Sequence, residues 1–148
     1  MSAGAAHGVA PHVGIVVASH SAKLAEGVAE MALQMARQHD PGIRIVPAGG
    51  DVDGELGEDA TKIAAAIQSA DSGAGVVVVV DLNGAVTAAR FARENLLAPE
   101  LAGRTRISRG PVAEAGVFAA VQASIGNGLE DVLAEADAAV AYDKHVDD

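Results

Sequence analysis

The segment Val17-Ala18-Ser19-His20-Ser21 places a histidine between two hydroxyl residues directly after an apolar run. A neutral imidazole is a competent nucleophile near pH 7, and it can attack phosphorus and hold the group as a phosphoramidate. Such a site must accommodate close to two negative charges. A second polar cluster, Asp81-Leu82-Asn83-Gly84, follows the run Val76–Val80. From there Asp81 is expected to accept the second ring N–H of His20 and fix one tautomer, the common task of a carboxylate behind a histidine. Ser19, Ser21, Asn83 and Gly84 are the expected phosphoryl-binding residues, and His20 and Asp81 the catalytic ones. Each also has a plain structural use. A serine after a strand caps a helix, an aspartate there closes a turn, and a lone histidine makes a polar strand end. The convergence of His20 and Asp81 on one crevice favours chemistry.

Other chemistries lack their signatures. The chain has no G-x-x-x-x-G-K-[ST] and no G-x-G-x-x-G after the first strand. Val-Ala-Ser-His-Ser is not the G-x-S-x-G elbow of a serine hydrolase. No His/Glu pair at ligand spacing surrounds His20, so neither a metal nor another cofactor is expected.

The elements that must position these residues alternate. Apolar Val13–Ala18 reads as a buried strand. Leu24, Val28, Met31 and Met35 line one face of a helix that Asp40-Pro41-Gly42 stops. Ile43–Ala48 is a second strand, Gly49–Gly57 a Gly/Asp-rich loop, and Glu58–Ala70 a second helix. Five consecutive valines, Val76–Val80, show no alternation, which marks a strand covered on both faces of a parallel sheet. Helices over 85–97, 112–124 and 129–142 flank a short strand at Thr105–Ser108. The predicted order β-α-β-α-β-α-β-α-α gives an α/β fold: a single-domain, open, mainly parallel sheet with helices on both faces. Ligands of such sheets bind outside the carboxyl ends of the strands. That rule gathers 19–21, 49–57 and 81–85 in one crevice, bordered by Arg109-Gly110.

The 148 residues suit one domain at 13–142, with a flexible extension at 1–12 that contains His7 and His12, and a charged tail at 143–148. Half the residues are hydrophobic but only 2% are aromatic, so the core is built of small side chains and gains from a second copy. A net charge of −10 argues against nucleic acid and anionic membrane surfaces. Cysteine is absent, which is compatible with a reducing compartment. No signal peptide or spanning segment is evident, so a cytoplasmic location is expected.

The segments G-I-V-V-A-S-H-S-A-K-L-A-E-G-V, A-G-G-D-V-D-G-E-L-G-E-D-A-T-K-I-A-A-A-I, V-V-V-V-V-D-L-N-G-A-V and R-G-P-V-A-E-A-G-V-F-A-A-V occur in order over about Val13–Val132. In them the chain resembles the mannose-type IIA domains of the bacterial phosphotransferase system, and most closely the branch that serves dihydroxyacetone kinase. That resemblance implies a homodimeric phosphotransferase subunit carrying phosphoryl on His20, at Nε2. The donor it implies is phospho-HPr, charged from phosphoenolpyruvate through enzyme I. The implied acceptor is ADP on the nucleotide-binding subunit of dihydroxyacetone kinase, whose partner subunit phosphorylates dihydroxyacetone (glycerone). Two other readings are a mannose-type IIA domain for a sugar transporter, with a IIB partner, and a non-catalytic regulatory module of the same fold. One departure stands out. The family usually has Asp-Leu/Met-Gly-Ser after the third strand, where this chain has Asp81-Leu82-Asn83-Gly84. Asp81 corresponds to the family's acidic partner of the histidine, whereas the serine has no counterpart.

Overall fold

The computed structural model describes residues 11–147, so the part of the expected extension at 1–10, with His7, lies outside the described residues. Four strands, β1 (Gly14–Ser19), β2 (Ile45–Gly49), β3 (Val76–Val80) and β4 (Thr105–Ile107), form one sheet in the order β2-β1-β3-β4, every pair parallel. Between and after them run α1 (Ala22–Ala36), α2 (Ala60–Ala70), α3 (Asn83–Phe91), the short α4 (Pro99–Ala102), α5 (Val112–Ser124) and α6 (Leu129–Ala138). This is the α/β architecture expected from the alternating pattern.

Alternate residues of the central strands face opposite layers. Ile15, Val17, Val77 and Val79 pack with Ala25 and Val28 of α1, Ala119 of α5 and Ala136 of α6. Val16, Ala18, Val76, Val78 and Val80 pack instead with Ile63 and Ile67 of α2 and Ala85 and Ala89 of α3. All five β3 valines are buried, which is why that strand shows no polar alternation. Pro47, which cannot donate to a ladder on both sides, sits in β2 at the sheet edge. Gly49, at the end of β2, must be glycine: a Cβ there would lie 2.4 Å from the Ser21 carbonyl oxygen. That contact brings the end of β2 against the start of α1, beside His20.

Several boundaries differ from expectation, each for a local reason. Asp59 caps α2 by accepting the Thr61 N–H at 2.9 Å, so the helix starts at Ala60 and Glu58 stays in the preceding loop. The helix expected over 85–97 begins at Asn83, because Leu82 is extended and its carbonyl takes the Ala85 and Val86 N–H groups. It widens into a π turn at Ala92–Leu96 before Pro99 opens α4. α6 ends at Ala138 and passes into a 3₁₀ turn, Ala139–Ala141. At the N-terminal side, His12 was expected in the flexible extension. It is anchored to the domain instead, with Nδ1 2.8 Å from the Ala123 carbonyl oxygen and Nε2 2.7 Å from Asp40 Oδ2.

Candidate functional site

β1 delivers Ser19 to the carboxyl edge of the sheet, and Ser21 caps α1 by accepting the Leu24 N–H at 3.1 Å. His20 therefore sits on the bend between a strand and a helix start. β3 runs parallel beside it, Ala18 paired with Val80, so that Asp81 emerges next to Ser19 and His20.

Asp81 braces this bend. Its Oδ2 accepts the Ser19 hydroxyl at 2.6 Å and the His20 backbone N–H at 3.1 Å, while Oδ1 accepts the Leu82 N–H at 2.7 Å. Ser19 Oγ in turn accepts the Ser21 N–H at 3.0 Å. The expectation that Asp81 holds the imidazole is therefore corrected. Its carboxylate is consumed by the two strand ends, and it positions the His20 backbone rather than the ring. Ser19 is corrected with it: its hydroxyl is buried and already donates to Asp81, which leaves no free donor for a phosphoryl oxygen.

The imidazole is held by Glu58, a residue that sequence reasoning assigned to the second helix. Its Oε2 lies 2.7 Å from His20 Nδ1. The loop that carries Glu58 is firmly built. Gly57 N–H donates to the His20 carbonyl at 2.8 Å, and Gly50 N–H to the Ser19 carbonyl at 3.1 Å. Asp51 Oδ1 accepts the Asp53 and Glu55 N–H groups, each at 2.9 Å. Lys62 Nζ reaches back to the Gly49 and Asp51 carbonyls at 3.1 and 2.8 Å. Gly57 two residues before the Asp59 cap, with the acid between them, is the sequence signal that would have found Glu58.

Glu58 rests on the first turn of α3. A Cβ on Gly84 would lie 2.7 Å from Glu58 Oε2 and 2.8 Å from Oε1, closer than atoms approach. Gly84, expected among the phosphoryl-binding residues, is the vacancy that seats this carboxylate. The N-terminal end of α3 also favours a negative charge there.

A carboxylate only accepts, so the neutral ring that suits this contact is the tautomer with its proton on Nδ1 and its lone pair on Nε2. The His20 side chain is 40% exposed and that of Glu58 22%, so a fixed ring presents its nucleophilic nitrogen to incoming groups. Leu24, Leu56 and Leu82 stand exposed on the flanking segments. Asn83 is exposed at the start of α3, and Arg109-Gly110, expected to border the crevice of His20, instead lines a cleft that His20 does not. That open cleft, of about 610 Å³, lies on the far side of Asp81, and Asn83 lines it as well. Among the described residues no group of three or more His, Cys, Asp or Glu could hold a metal ion. No helix there is long and apolar enough to cross a membrane.

Residues 14–133 match the family described as PTS system fructose IIA component. The chain is 36% identical over 124 residues to the PEP-dependent dihydroxyacetone kinase, phosphoryl donor subunit DhaM, of Escherichia coli K12; the match covers 84% of this chain and 26% of that protein. It is 34% identical over 123 residues to the PEP-dependent dihydroxyacetone kinase 2, phosphoryl donor subunit DhaM, of Listeria innocua, covering 83% of this chain and 95% of that one. The chain thus spans about a quarter of the length of the first relative and nearly all of the second. Among solved structures, the crystal structure of the unknown function protein EF1359 superposes with a TM-score of 0.74 at 31% identity, covering 85% of this chain and 93% of that one. The native dihydroxyacetone kinase of C. freundii shares the fold, with a TM-score of 0.56 at 19% identity over 88% of this chain and 25% of that one.

Proposed function

The chain belongs to the PTS system fructose IIA component family, in its DhaM branch, and from that membership we propose that it is a phosphohistidine carrier that loads His20 from phospho-HPr and delivers to ADP on the nucleotide-binding subunit of dihydroxyacetone kinase. The observation that carries the reading is the imidazole itself: Nδ1 lies 2.7 Å from Glu58 Oε2, and the side chain is 40% exposed at the carboxyl edge of a parallel sheet.

In loading, Nε2 of His20 attacks the phosphorus of phospho-HPr. The new P–N bond forms as the old one breaks, and its electron pair returns to the donor imidazole. In delivery, the Nε2–P bond breaks with its electron pair left on His20, and phosphorus bonds to the terminal oxygen of ADP. No proton has to leave the phosphorus acceptor in either step. Glu58 keeps the proton on Nδ1 throughout, so one tautomer serves both directions. The Ser21 hydroxyl, which accepts from Leu24 and still has its proton to give, and Asn83, exposed at the start of α3, are the side chains offered to the phosphoryl oxygens. Such transfers need little bond chemistry from the protein, so positioning dominates. Exposed Leu24, Leu56 and Leu82 suit brief docking by successive partners. The same reading has the protein acting in the cytoplasm as a homodimer, which light scattering would test.

The test is a chase. Chain loaded through phosphoenolpyruvate, enzyme I and HPr is mixed with the kinase's nucleotide-binding subunit carrying ADP, and in parallel with a sugar-transporter IIB domain. The proposal expects ATP in the first mixture and retained label in the second. Transfer to the IIB domain alone would contradict the assigned acceptor.

A further inference from the structure

The cleft beyond Asp81 has a composition unlike the rest of the molecule. Its lining includes Arg90, Arg93 and Arg109 with Asn83, together with Val86 and Ile107. Three of the ten Lys and Arg residues of a chain with net charge −10 thus gather round one cavity. Two arginines elsewhere are neutralised at close range, Arg104 by Asp71 at 2.7 Å and Arg106 by Glu130 at 2.9 Å, while Arg44 donates only to the Asp71 carbonyl. The cleft arginines are not so neutralised. Arg93 and Arg109 reach Glu94 and Asp137 only at 3.9 Å, a separation at which an exposed pair contributes little. Asp137 already accepts the Ser108 hydroxyl at 2.7 Å and the Arg109 N–H at 2.9 Å. Arg90 has no side-chain partner among the described residues. Asp81, the one carboxylate in the lining, is committed to Ser19, His20 and Leu82.

We propose that this cleft is a diphosphate subsite, in which Arg90 and Arg93, aided by Arg109, hold the phosphates of a nucleoside diphosphate beside His20. Guanidinium forks match phosphate oxygens in pairs. The cleft adjoins the histidine bend through its lining residue Asp81, whose carboxylate accepts the His20 N–H. The arginines would also offset the charge that accumulates when a phosphoryl group meets a diphosphate. The delivery role rests on the carrier reading above; the binding itself does not.

Two arms test it. In the first, the unphosphorylated chain is titrated with pyrophosphate, with ADP and with adenosine while NMR follows the arginine Nε–H signals and the amides of 81–84 and 108–110. In the second, chain loaded from phospho-HPr is mixed with the kinase subunit carrying ADP. The variant is Arg90→Gln/Arg93→Gln, with Arg44→Gln, on the far side of the molecule against Asp71, as control. Saturable shifts with pyrophosphate and ADP but not adenosine, at least about tenfold weaker in the double variant, show that a free diphosphate is taken. Delivery slowed about tenfold or more in the double variant, with His20 still loaded, and no shifts in the first arm, shows that the diphosphate is received only when a partner presents it. No shifts together with wild-type delivery by the double variant would overturn the subsite and leave the carrier reading standing. A wild-type chain that is never loaded would overturn the carrier reading, and the first arm alone would then decide the subsite.

Discussion

Glu58 Oε2 lies 2.7 Å from Nδ1 of His20, although 38 residues separate them in sequence. The carboxylate reaches the ring because the 50–58 loop is hydrogen-bonded to the very bend it serves, through Gly57 N–H and the His20 carbonyl. Ring and backbone of the histidine are thus held by different acids, Glu58 and Asp81.

Removing the ring's partner should slow chemistry without unfolding the protein. For Glu58→Gln and Glu58→Ala, loading of His20 from phospho-HPr is expected to fall about 10–100-fold, the usual cost of losing a carboxylate behind a histidine. The pH dependence of loading should change in the same variants, as a merely structural residue would not make it do. Rapid-quench kinetics across pH check this, and unchanged rates would remove Glu58 from the mechanism.

Asp81 should behave as a stability residue first. Asp81→Ala strips the acceptor from the buried Ser19 hydroxyl and the His20 N–H. A loss of about 1–3 kcal/mol is expected, read as a lower urea midpoint at unchanged slope. If stability is untouched and only transfer falls, the bracing role is wrong.

Gly84 and Glu58 should be energetically coupled. In Gly84→Ser the new Cβ occupies the place of the Glu58 carboxylate, so the single variant should load as slowly as Glu58→Ala. Combining the two should add little further loss, because both remove the same contact. Additive losses in the double-mutant cycle would contradict the seat assigned to Glu58.

Acid stability should depend on Asp71, remote from the site. The Arg104 guanidinium beside it, at 2.7 Å, holds the Asp71 carboxyl below the usual carboxylate range, and the Gly73 and Gly75 N–H groups add to the effect. A carboxyl lowered in the folded state stabilises it fully above its unfolded pKa, near 3.9. That contribution disappears as pH falls through the lower folded value. Asp71→Asn should therefore be less stable than wild type at neutral pH and converge with it in strong acid, as urea titrations at several pH values would reveal. A gap that persists undiminished in acid would contradict this.

Local pattern made most of the fold legible. Unbroken valines at Val76–Val80 mark a doubly covered strand, and α5 occupies the expected 112–124 because Pro111 and the following small apolar residues define it locally. The position of His20 at a strand exit follows from the same pattern and the rule for parallel sheets. The ring's partner was not legible, because Asp81 and Glu58 are both acids near the crevice and only the path of the loop decides between them. That path depends on whether α2 starts at Glu58 or, as it does, at Ala60 behind the Asp59 cap. The departure at Gly84 was visible in the sequence, but its meaning required seeing the carboxylate that fills the space.

The central claim is that Nε2 of His20 takes a phosphoryl group. Incubation with phosphoenolpyruvate, enzyme I and HPr, followed by intact-mass measurement and ¹⁵N NMR of the imidazole, tests it most directly. Wild-type chain should gain a single acid-labile phosphoryl group, at Nε2, and His20→Ala, folded by circular dichroism, should gain none. Equal labelling of His20→Ala, or attachment at Nδ1, would contradict the account.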